Sequence, residues 1–328
     1  MKVLVIGASG QLGSNLVRAL LNRGDQVRGL TRPTSKMLTL EGLDFETVTG
    51  DLAEIDSVTR ACRGVQIVYQ TAGYYPTETI PVAKAKQQAL AETKNLLHAV
   101  GQSSVERMVF ASTLTTVGFP KVPGELATEE CPFFTRFTNN PYLVAKAAME
   151  DEVLAAARKG LPAVVVNPTA FFGPYDQRPT SGTQILMIAK RQMPGYVQGP
   201  VNVIDVRDVA EAMIRAAEVG RIGERYIVGH WNTNQKELNQ LIAKVAGVPP
   251  PWVPVPFDLA RVGSKVGEWA SRKILHKPPP VPSFFVEVIK HMQHYDCSKA
   301  LHALNYPRSS VEAAIQDSIT WFRENGYI

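Results

Sequence analysis

The N-terminal segment constrains the fold of this chain more than any other part. Val3-Leu4-Val5-Ile6 has the apolar, β-branched character of a buried strand. It runs directly into Gly7-x-x-Gly10-x-x-Gly13, and leucines at positions 12, 16 and 20 follow with the spacing of one buried helix face. A strand that enters a glycine-spaced turn and then a helix is typical of a dinucleotide-binding site.

Each glycine of this turn has a physical role. Gly7 can adopt the backbone angles of a tight turn, Gly10 has no Cβ to keep a pyrophosphate away, and Gly13 lets helix and strand pack closely. The phosphates would lie at the helix N-terminus, where unpaired N–H groups and the helix dipole favour anions. The predicted cofactor contacts in this turn are Gly7, Ser9, Gly10, Gln11, Leu12 and Gly13.

Strand-like and helical segments alternate along the rest of the chain. Strands are expected at residues 26–31, 65–69, 107–111, 163–167, 201–206 and 224–229, and helices at 56–62, 82–100, 141–158, 208–218, 234–246 and 311–325. Such alternation favours a parallel sheet with helices on both faces. We therefore predict an α/β fold, a Rossmann-type doubly wound parallel sheet with a smaller, mostly C-terminal α/β part.

The expected division gives a dinucleotide-binding domain at residues 1–172 and a substrate-binding part at 173–328, with about 201–230 returning to the first domain. The proline-rich segments 249–256 and 278–282 are interpreted as stiff connectors around one helical stretch.

Composition excludes several classes of protein. The chain has 328 residues, 45% of them hydrophobic and 20% charged, which is ordinary for a globular enzyme. Its net charge of +5 involves no long run of like charges, so nucleic-acid binding has little support. Cys62, Cys131 and Cys297 form no CxxC pair, and the apolar N-terminal segment is too short for a signal or membrane span. We expect a cytoplasmic protein with reduced thiols, no metal site and no membrane partner.

A second chemical signal is Tyr142-x-x-x-Lys146, with both residues on one face of a predicted helix. Asn140 can cap that helix and Pro141 fits its first turn. An adjacent ammonium group lowers the pKa of a phenol, so Tyr142 is a candidate acid/base. Such pairs are also common on helix surfaces. Ser112 and Thr113 follow a strand at the edge where a cofactor would lie, and a hydroxyl there favours catalysis.

Taken in order, these motifs resemble the extended branch of the short-chain dehydrogenases/reductases, the NAD(P)-dependent epimerase/dehydratase family. The matching motifs are Gly7-x-x-Gly10-x-x-Gly13, Asp51-Leu52, Thr71-Ala72-Gly73, Ser112-Thr113, Tyr142-x-x-x-Lys146 and Asn167-Pro168. Within that branch the chain is similar to the dihydroflavonol-reductase-like proteins, including a bacterial group labelled hopanoid-associated sugar epimerases. The resemblance also implies a homodimer as one option for assembly.

The resemblance implies a role for each matching residue. Thr113 would hydrogen-bond the substrate oxygen, Tyr142 would donate or accept the proton, and Lys146 would hold the nicotinamide ribose and lower the pKa of Tyr142. The remaining expected cofactor contacts are Asp51 and Leu52 at the adenine, Thr71, Ala72 and Gly73 along the inner path, and Pro168 at the nicotinamide. Helix capping by Asp51 and strand termination by Pro168 are the alternatives.

One position departs from the family pattern. Many members carry an asparagine in the fourth helix that shapes the proton relay, and the matching segment here begins with Ala89. A methyl group cannot replace that amide. Either another group or water fills the role, or the relay is altered and turnover is slow.

The charge near the second strand predicts the cofactor. Arg32 stands where NAD-preferring folds place an acidic residue, and Lys36 follows shortly after it. A guanidinium and an ammonium group suit a 2′-phosphate, so we expect NADP(H). A solvated arginine at the end of a strand is the alternative.

The substrate side carries weaker signals. Aromatic and methionine side chains suggest an apolar or aromatic carbonyl or alcohol substrate, and the candidates are Tyr74, Tyr75, residues 133–137, Phe171, Phe172, Met187 and Met193. The favoured function is an NADP(H)-dependent reductase or dehydrogenase. A nucleotide-sugar epimerase or dehydratase with a retained cofactor is the alternative, although Asn167 replaces an arginine often found there. A catalytically silent NADP(H)-sensing protein is the third reading.

Overall fold

Parallel β-structure organises the molecule. The computed structural model describes residues 1–74, 80–133, 138–193, 195–273, 286, 288, 289 and 291–328. The strands in these ranges are β1 (Lys2–Ile6), β2 (Gln26–Thr31), β3 (Glu46–Thr49), β4 (Ile67–Gln70), β5 (Arg107–Ala111), β6 (Ala163–Pro168), β7 (Ala170–Phe172), β8 (Gly195–Tyr196), β9 (Pro200–Asp205), β10 (Arg225–Val228), β11 (Trp231–Asn234) and β12 (Val253–Pro254).

Seven strands form one parallel sheet in the order β10-β6-β5-β4-β1-β2-β3. Strand β1 pairs with β2 on one side and with β4 on the other, so the chain reverses its winding direction at β1. The predicted doubly wound parallel sheet is confirmed. The described chain also forms two small sheets, β11-β9-β7 and β12-β8, which periodicity did not predict.

Helices cover both faces of the large sheet. The described helices are α1 (Gln11–Asn22), α2 (Ile55–Cys62), α3 (Val82–Gly101), α4 (Pro141–Arg158), α5 (Gly182–Ala189), α6 (Val206–Val219), α7 (Gln235–Ala246), α8 (Phe257–Lys273), α9 (Ser298–Leu304) and α10 (Val311–Glu324). Val3 and Val5 pack into the core that contains α1 and α6, whereas Leu4 and Ile6 pack into the core that contains α3 and α4. This alternation shows why β1 reads as a continuous apolar run.

The second half of the chain contributes strands to the seven-stranded sheet and to the three-stranded sheet. Strand β10 completes the seven-stranded sheet by pairing with β6, and α6 packs against α1. Strand β9 instead joins β7 and β11, and the apolar faces of α5, α7 and α10 pack around this smaller sheet. The chain therefore crosses between the seven-stranded and the three-stranded sheet more than once. The expected domain limits at residues 172 and 173 stay a prediction.

Caps expected from the sequence define two of the helices. The Asn140 side chain accepts hydrogen bonds from the backbone N–H groups of Tyr142, at 3.0 Å, and Leu143, at 3.3 Å. Asn234 accepts one from the N–H of Glu237 at 3.0 Å. These bonds satisfy donors at the helix ends that have no partner within the helix.

Within the described ranges, no helix combines the length and hydrophobicity needed to cross a bilayer.

The close approach of α1 to β1 yields a stability prediction. A Cβ at Gly13 would lie 2.2 Å from the carbonyl oxygen of Gly7, whereas a Cβ at Gly10 would meet that oxygen at 3.3 Å. Alanine in a helix gains at most about 1 kcal/mol over glycine, and overpacking costs about 1–3 kcal/mol. We expect Gly13→Ala to lower the free energy of unfolding by roughly 1–2 kcal/mol in urea melts. Gly10→Ala is the matched control, and an equal loss in both variants would contradict the steric argument.

Candidate cofactor and catalytic site

The glycine turn forms a cradle at the carboxyl edge of the sheet. Gly7 has a φ of 83°, and a Cβ there would lie 2.6 Å from the backbone nitrogen of Ala72. The N–H of Gly10 donates to the Gly7 carbonyl at 3.0 Å, and α1 starts at Gln11 with Gly10 as its N-cap. The first turn of α1 contains no acidic residue. Among the described residues, no side chain caps the first N–H groups of the helix, so they are available to an anion, and the cradle fits a dinucleotide pyrophosphate.

Gly173 and Gln177, in the second half of the chain, form hydrogen bonds with the start of α1 and with this turn. Gln11 Nε2 donates to the Gly173 carbonyl at 2.8 Å, so the Gln11 side chain is held by the second half of the chain while its backbone starts the helix. Gln177 Nε2 donates to the carbonyl oxygens of Ser9 at 2.5 Å and Lys36 at 3.1 Å. No local sequence pattern marks Gln177, because it lies 168 residues from Ser9.

Arg32 and Asp51, beyond the carboxyl ends of β2 and β3, both act electrostatically on Glu92 of α3. Arg32 follows β2 directly and its side chain is exposed, as is that of Lys36. Asp51 follows β3, and its Oδ1 accepts a hydrogen bond from the N–H of Ala53 at 2.9 Å. The pKa of Glu92 on α3 is raised by burial and by the charge of Asp51, and lowered by that of Arg32. Sequence reasoning missed Glu92, which brings a second carboxylate to this edge.

The segment after β4 follows the glycine turn closely. Thr71 Oγ1 donates to the carbonyl of Ile6 at 2.8 Å, and the N–H of Ala72 donates to Gln70 Oε1 at 2.8 Å. Leu52 is buried, and Gly73 is exposed at the open edge. Tyr74 donates to Gln88 Oε1 on α3 at 2.7 Å, which directs its ring toward that helix.

Thr113, Tyr142 and Lys146 lie on neighbouring elements. Thr113 follows β5 and caps a short 3₁₀ turn, Leu114–Thr116, that packs against α4. Tyr142 and Lys146 occupy the first turns of α4 and are 9% and 3% exposed. Burial lowers the pKa of Lys146 to about 8, and the charge of Glu150 opposes that shift. The structure therefore places the predicted hydroxyl, phenol and ammonium groups along one helix and the turn beside it.

Buried polar groups lie behind this turn. Ser112 Oγ donates to Glu150 Oε2, so it faces the interior. Asn167 Nδ2 donates to Thr116 Oγ1 at 2.9 Å and to the Thr113 carbonyl at 3.2 Å. Asn167 therefore holds the turn that carries Thr113. Pro168, the next residue, is buried at the end of β6, opposite Val228.

Ala89 is 0% exposed and packs in the core with Ala145 and Met149 of α4. Its carbonyl accepts a hydrogen bond from Thr93 Oγ1 at 2.8 Å, which is an ordinary contact within a helix. The family's asparagine amide thus has no counterpart in the Ala89 side chain.

The substrate-side residues have mixed outcomes. Phe172 is 1% exposed and packs with Ile185 and Val201 in the core of the small sheet, so the expectation that it lines a pocket was wrong. Phe133 packs beside Tyr142 and Leu143. Other members of that set are partly buried, namely Phe171, Met187 and Met193. Tyr75, Pro76 and residues 134–137 lie outside the described residues.

Comparison with known proteins identifies the family. The chain belongs to the NAD-dependent epimerase/dehydratase family, whose sequence profile matches residues 3–229. This confirms the resemblance drawn from the motifs. The family uses a nicotinamide cofactor, and the chain is accordingly an NAD(P)-dependent enzyme of the oxidoreductase/epimerase kind.

Full-length relatives share this architecture. A putative dihydroflavonol 4-reductase from Synechocystis sp. is 33% identical, covering 99% of this chain and 95% of its own. Sterol demethylase protein B from Methylococcus capsulatus is 30% identical over 100% of both chains. Among solved structures, a nucleoside-diphosphate-sugar epimerase from Pseudomonas aeruginosa matches with a TM-score of 0.83 and 27% identity, covering 100% of this chain and 99% of that one.

The segment that contains Asp176 and Gln177, beside the glycine turn, gives a pH prediction. Asp176 precedes Gln177, and burial raises its pKa to about 7 although the N–H groups of Gly182 and Thr180 lower it. A carboxyl whose folded pKa is raised costs stability as pH rises through the range between its unfolded and folded pKa values. We expect the free energy of unfolding of Asp176→Asn, relative to wild type, to increase by roughly 1–3 kcal/mol between pH 5 and pH 8.

Chemical denaturation at the two pH values measures this difference. Asp44→Asn is the matched control, because Asp44 is exposed and the same substitution removes a charge from the surface. A pH-independent difference for Asp176→Asn would show that the Asp176 carboxyl is already ionised in the folded state at pH 5.

Proposed function

We propose that this chain is an NADP(H)-dependent reductase or dehydrogenase that interconverts a carbonyl and an alcohol in an apolar or aromatic substrate. The observation that carries the proposal is the burial of Lys146 one turn after Tyr142 on α4, beside the turn that bears Thr113. An ammonium group buried beside a phenol favours the phenolate, which is what a proton-transferring tyrosine requires.

The site residues divide the chemistry between them. Thr113 and Tyr142 would donate hydrogen bonds to the substrate oxygen and polarise its carbonyl bond. Tyr142 would then release its proton to that oxygen as charge develops there, and Lys146 would stabilise the resulting phenolate and hold the nicotinamide ribose. When bound, NADPH supplies the hydride. The glycine cradle and the segment 71–73 would orient the cofactor against the sheet edge.

Two observations favour a reductase over an epimerase. Arg32 and Lys36 are exposed at the edge where the adenosine ribose would lie, which suits NADP(H) and net reduction. Asn167 is fully buried and turned toward Thr116, so it offers no cation to a sugar diphosphate. The similar Pseudomonas aeruginosa epimerase supports a nucleotide-sugar epimerase as the second candidate. A spectrophotometric screen of NADPH consumption against ketones, aldehydes and nucleotide sugars would distinguish the two.

Arg32 yields a prediction for cofactor choice. Charge-assisted hydrogen bonds to a 2′-phosphate are each worth about 1.5–3 kcal/mol. Arg32→Ala should therefore weaken NADPH binding about ten- to a hundredfold and leave NADH binding nearly unchanged, as measured by fluorescence titration.

Arg221→Ala is the matched control. Arg221 is also exposed, but it precedes β10 and so lies toward the amino edge of the sheet, opposite Arg32. Equal losses of NADPH and NADH affinity in Arg32→Ala would show that Arg32 does not read the 2′-phosphate.

Tyr142 yields a prediction for turnover. Tyr142→Phe removes only the hydroxyl, so NADPH affinity should persist while kcat falls about a hundred- to ten-thousandfold. Lys146→Met should reduce both, because it removes the proposed ribose contact as well as the charge beside the phenol. Wild-type reduction should slow at high pH, where Tyr142 has lost the proton it donates. A Tyr142→Phe variant with nearly normal kcat would show that another group, such as Thr113 or water, donates the proton.

A further inference from the structure

Glu150 lies at the centre of a buried polar network behind the proposed catalytic residues. Glu150 is 2% exposed and stands one helical turn after Lys146 on α4. Its Oε2 accepts hydrogen bonds from Ser112 Oγ, from Thr116 Oγ1 at 2.5 Å and from Asn167 Nδ2 at 2.7 Å. Its Oε1 lies 2.8 Å from Arg225 Nη1. Four donors thus converge on one carboxylate.

The network joins segments that are far apart in the sequence. Ser112 and Thr116 flank Thr113 and its turn, Asn167 belongs to β6, and Arg225 belongs to β10. Arg225 Nε also donates to the Glu129 carbonyl at 2.9 Å. Thr116 Oγ1 also lies 2.8 Å from the Thr113 carbonyl oxygen, and Asn167 Nδ2 lies 3.2 Å from it, so the carboxylate is one hydrogen-bonded residue away from the backbone of the proposed catalytic hydroxyl.

A carboxylate buried this deeply needs compensating positive charge, because an uncompensated buried charge costs several kcal/mol. Arg225 supplies one compensating cation from β10, and Lys146 supplies a second from the same helix. Asp151 on α4 and Glu129 beside Arg225 are the neighbouring acids, and burial raises the pKa of each. Glu150 is therefore the carboxylate that raises the pKa of Lys146 against the effect of burial.

We propose that Glu150 is the positioning residue of this site: its carboxylate fixes the turn that carries Thr113 and places a negative charge one helical turn from Lys146. The inference rests on the functions proposed above for Thr113 and Lys146. Glu150 is buried behind the turn and acts through its hydrogen-bonded neighbours. Its two oxygens have different partners, since Oε2 binds the turn and Oε1 binds the guanidinium group of Arg225.

The charge of Glu150 can be tested by the pH dependence of NADPH binding. Because burial lowers the pKa of Lys146 to about 8, the NADPH affinity of the wild type should fall as pH rises through that range. Glu150→Gln keeps the size of the side chain and removes its charge, which should move the midpoint of this fall about one pH unit lower. Energy transfer from tryptophan to bound NADPH, titrated from pH 6.5 to 9.5, measures the midpoint. Lys146→Met should lack the fall altogether, and its curve is the baseline.

Two further variants separate charge from structure. Glu152→Gln is the matched control, because Glu152 lies two residues along the same helix and so on its opposite side; its midpoint should equal that of the wild type. Glu150→Asp keeps the charge but shortens the side chain. It should retain a midpoint within about 0.3 pH unit of the wild type while kcat falls about tenfold or more, because the bonds to the Thr113 turn are lost.

Each outcome bears on one claim. A wild-type midpoint retained in Glu150→Gln, with only the melting temperature lowered, would overturn the electrostatic part of the inference. Wild-type kcat in Glu150→Asp would overturn the positioning part, and this holds even if Glu150→Gln fails to fold. Absence of NADPH binding to the wild-type protein would instead refute the proposed function, so the two failures are distinguishable.

Discussion

The pairing of β1 with a parallel strand on each side is the constraint on which the site depends. Because every strand of the large sheet runs in the same direction, the chain leaves each one at the same edge. The winding reverses between β1 and β4, so the connections after these two strands turn to opposite faces and leave a crevice. Gly7, Thr71 and Thr113 each follow a strand end on this edge. The position of the site is a consequence of topology before any side chain is considered.

Sequence periodicity predicted most of that topology. The strands at 26–31 and 107–111 match the structure in both bounds, and the expected helix at 141–158 is α4, with its cap at Asn140. These elements carry their own local signals, namely an apolar run, a capping side chain or a glycine stop. The strands β7, β8 and β12 are only two or three residues long and show no measurable period, and β11, Trp231–Asn234, contains no apolar run. They form only through pairing with distant partners.

The same distinction explains which site residues were missed. Gln177, Glu92 and Arg225 act through partners that lie far away in the sequence, so no local pattern marks them. Glu150 did leave a trace: on α4 it shares the buried side of the helix with Met149 and Val153, where an unpartnered carboxylate would be strongly unfavourable. A charged residue one turn beyond a candidate lysine on an otherwise apolar helix face is therefore a signal that could be used elsewhere.

Ala89 and Lys146 show how this site balances polar and apolar surroundings. A fully buried methyl group at Ala89 makes the α3 side of α4 apolar, and an apolar environment disfavours a charged lysine. Burial of Lys146 lowers its pKa to about 8. An ammonium group this close to losing its proton at physiological pH depends on neighbouring negative charge, and α4 supplies it one turn further on. Glu150 therefore provides the negative charge that opposes the effect of burial on Lys146, on a helix whose α3 side is apolar.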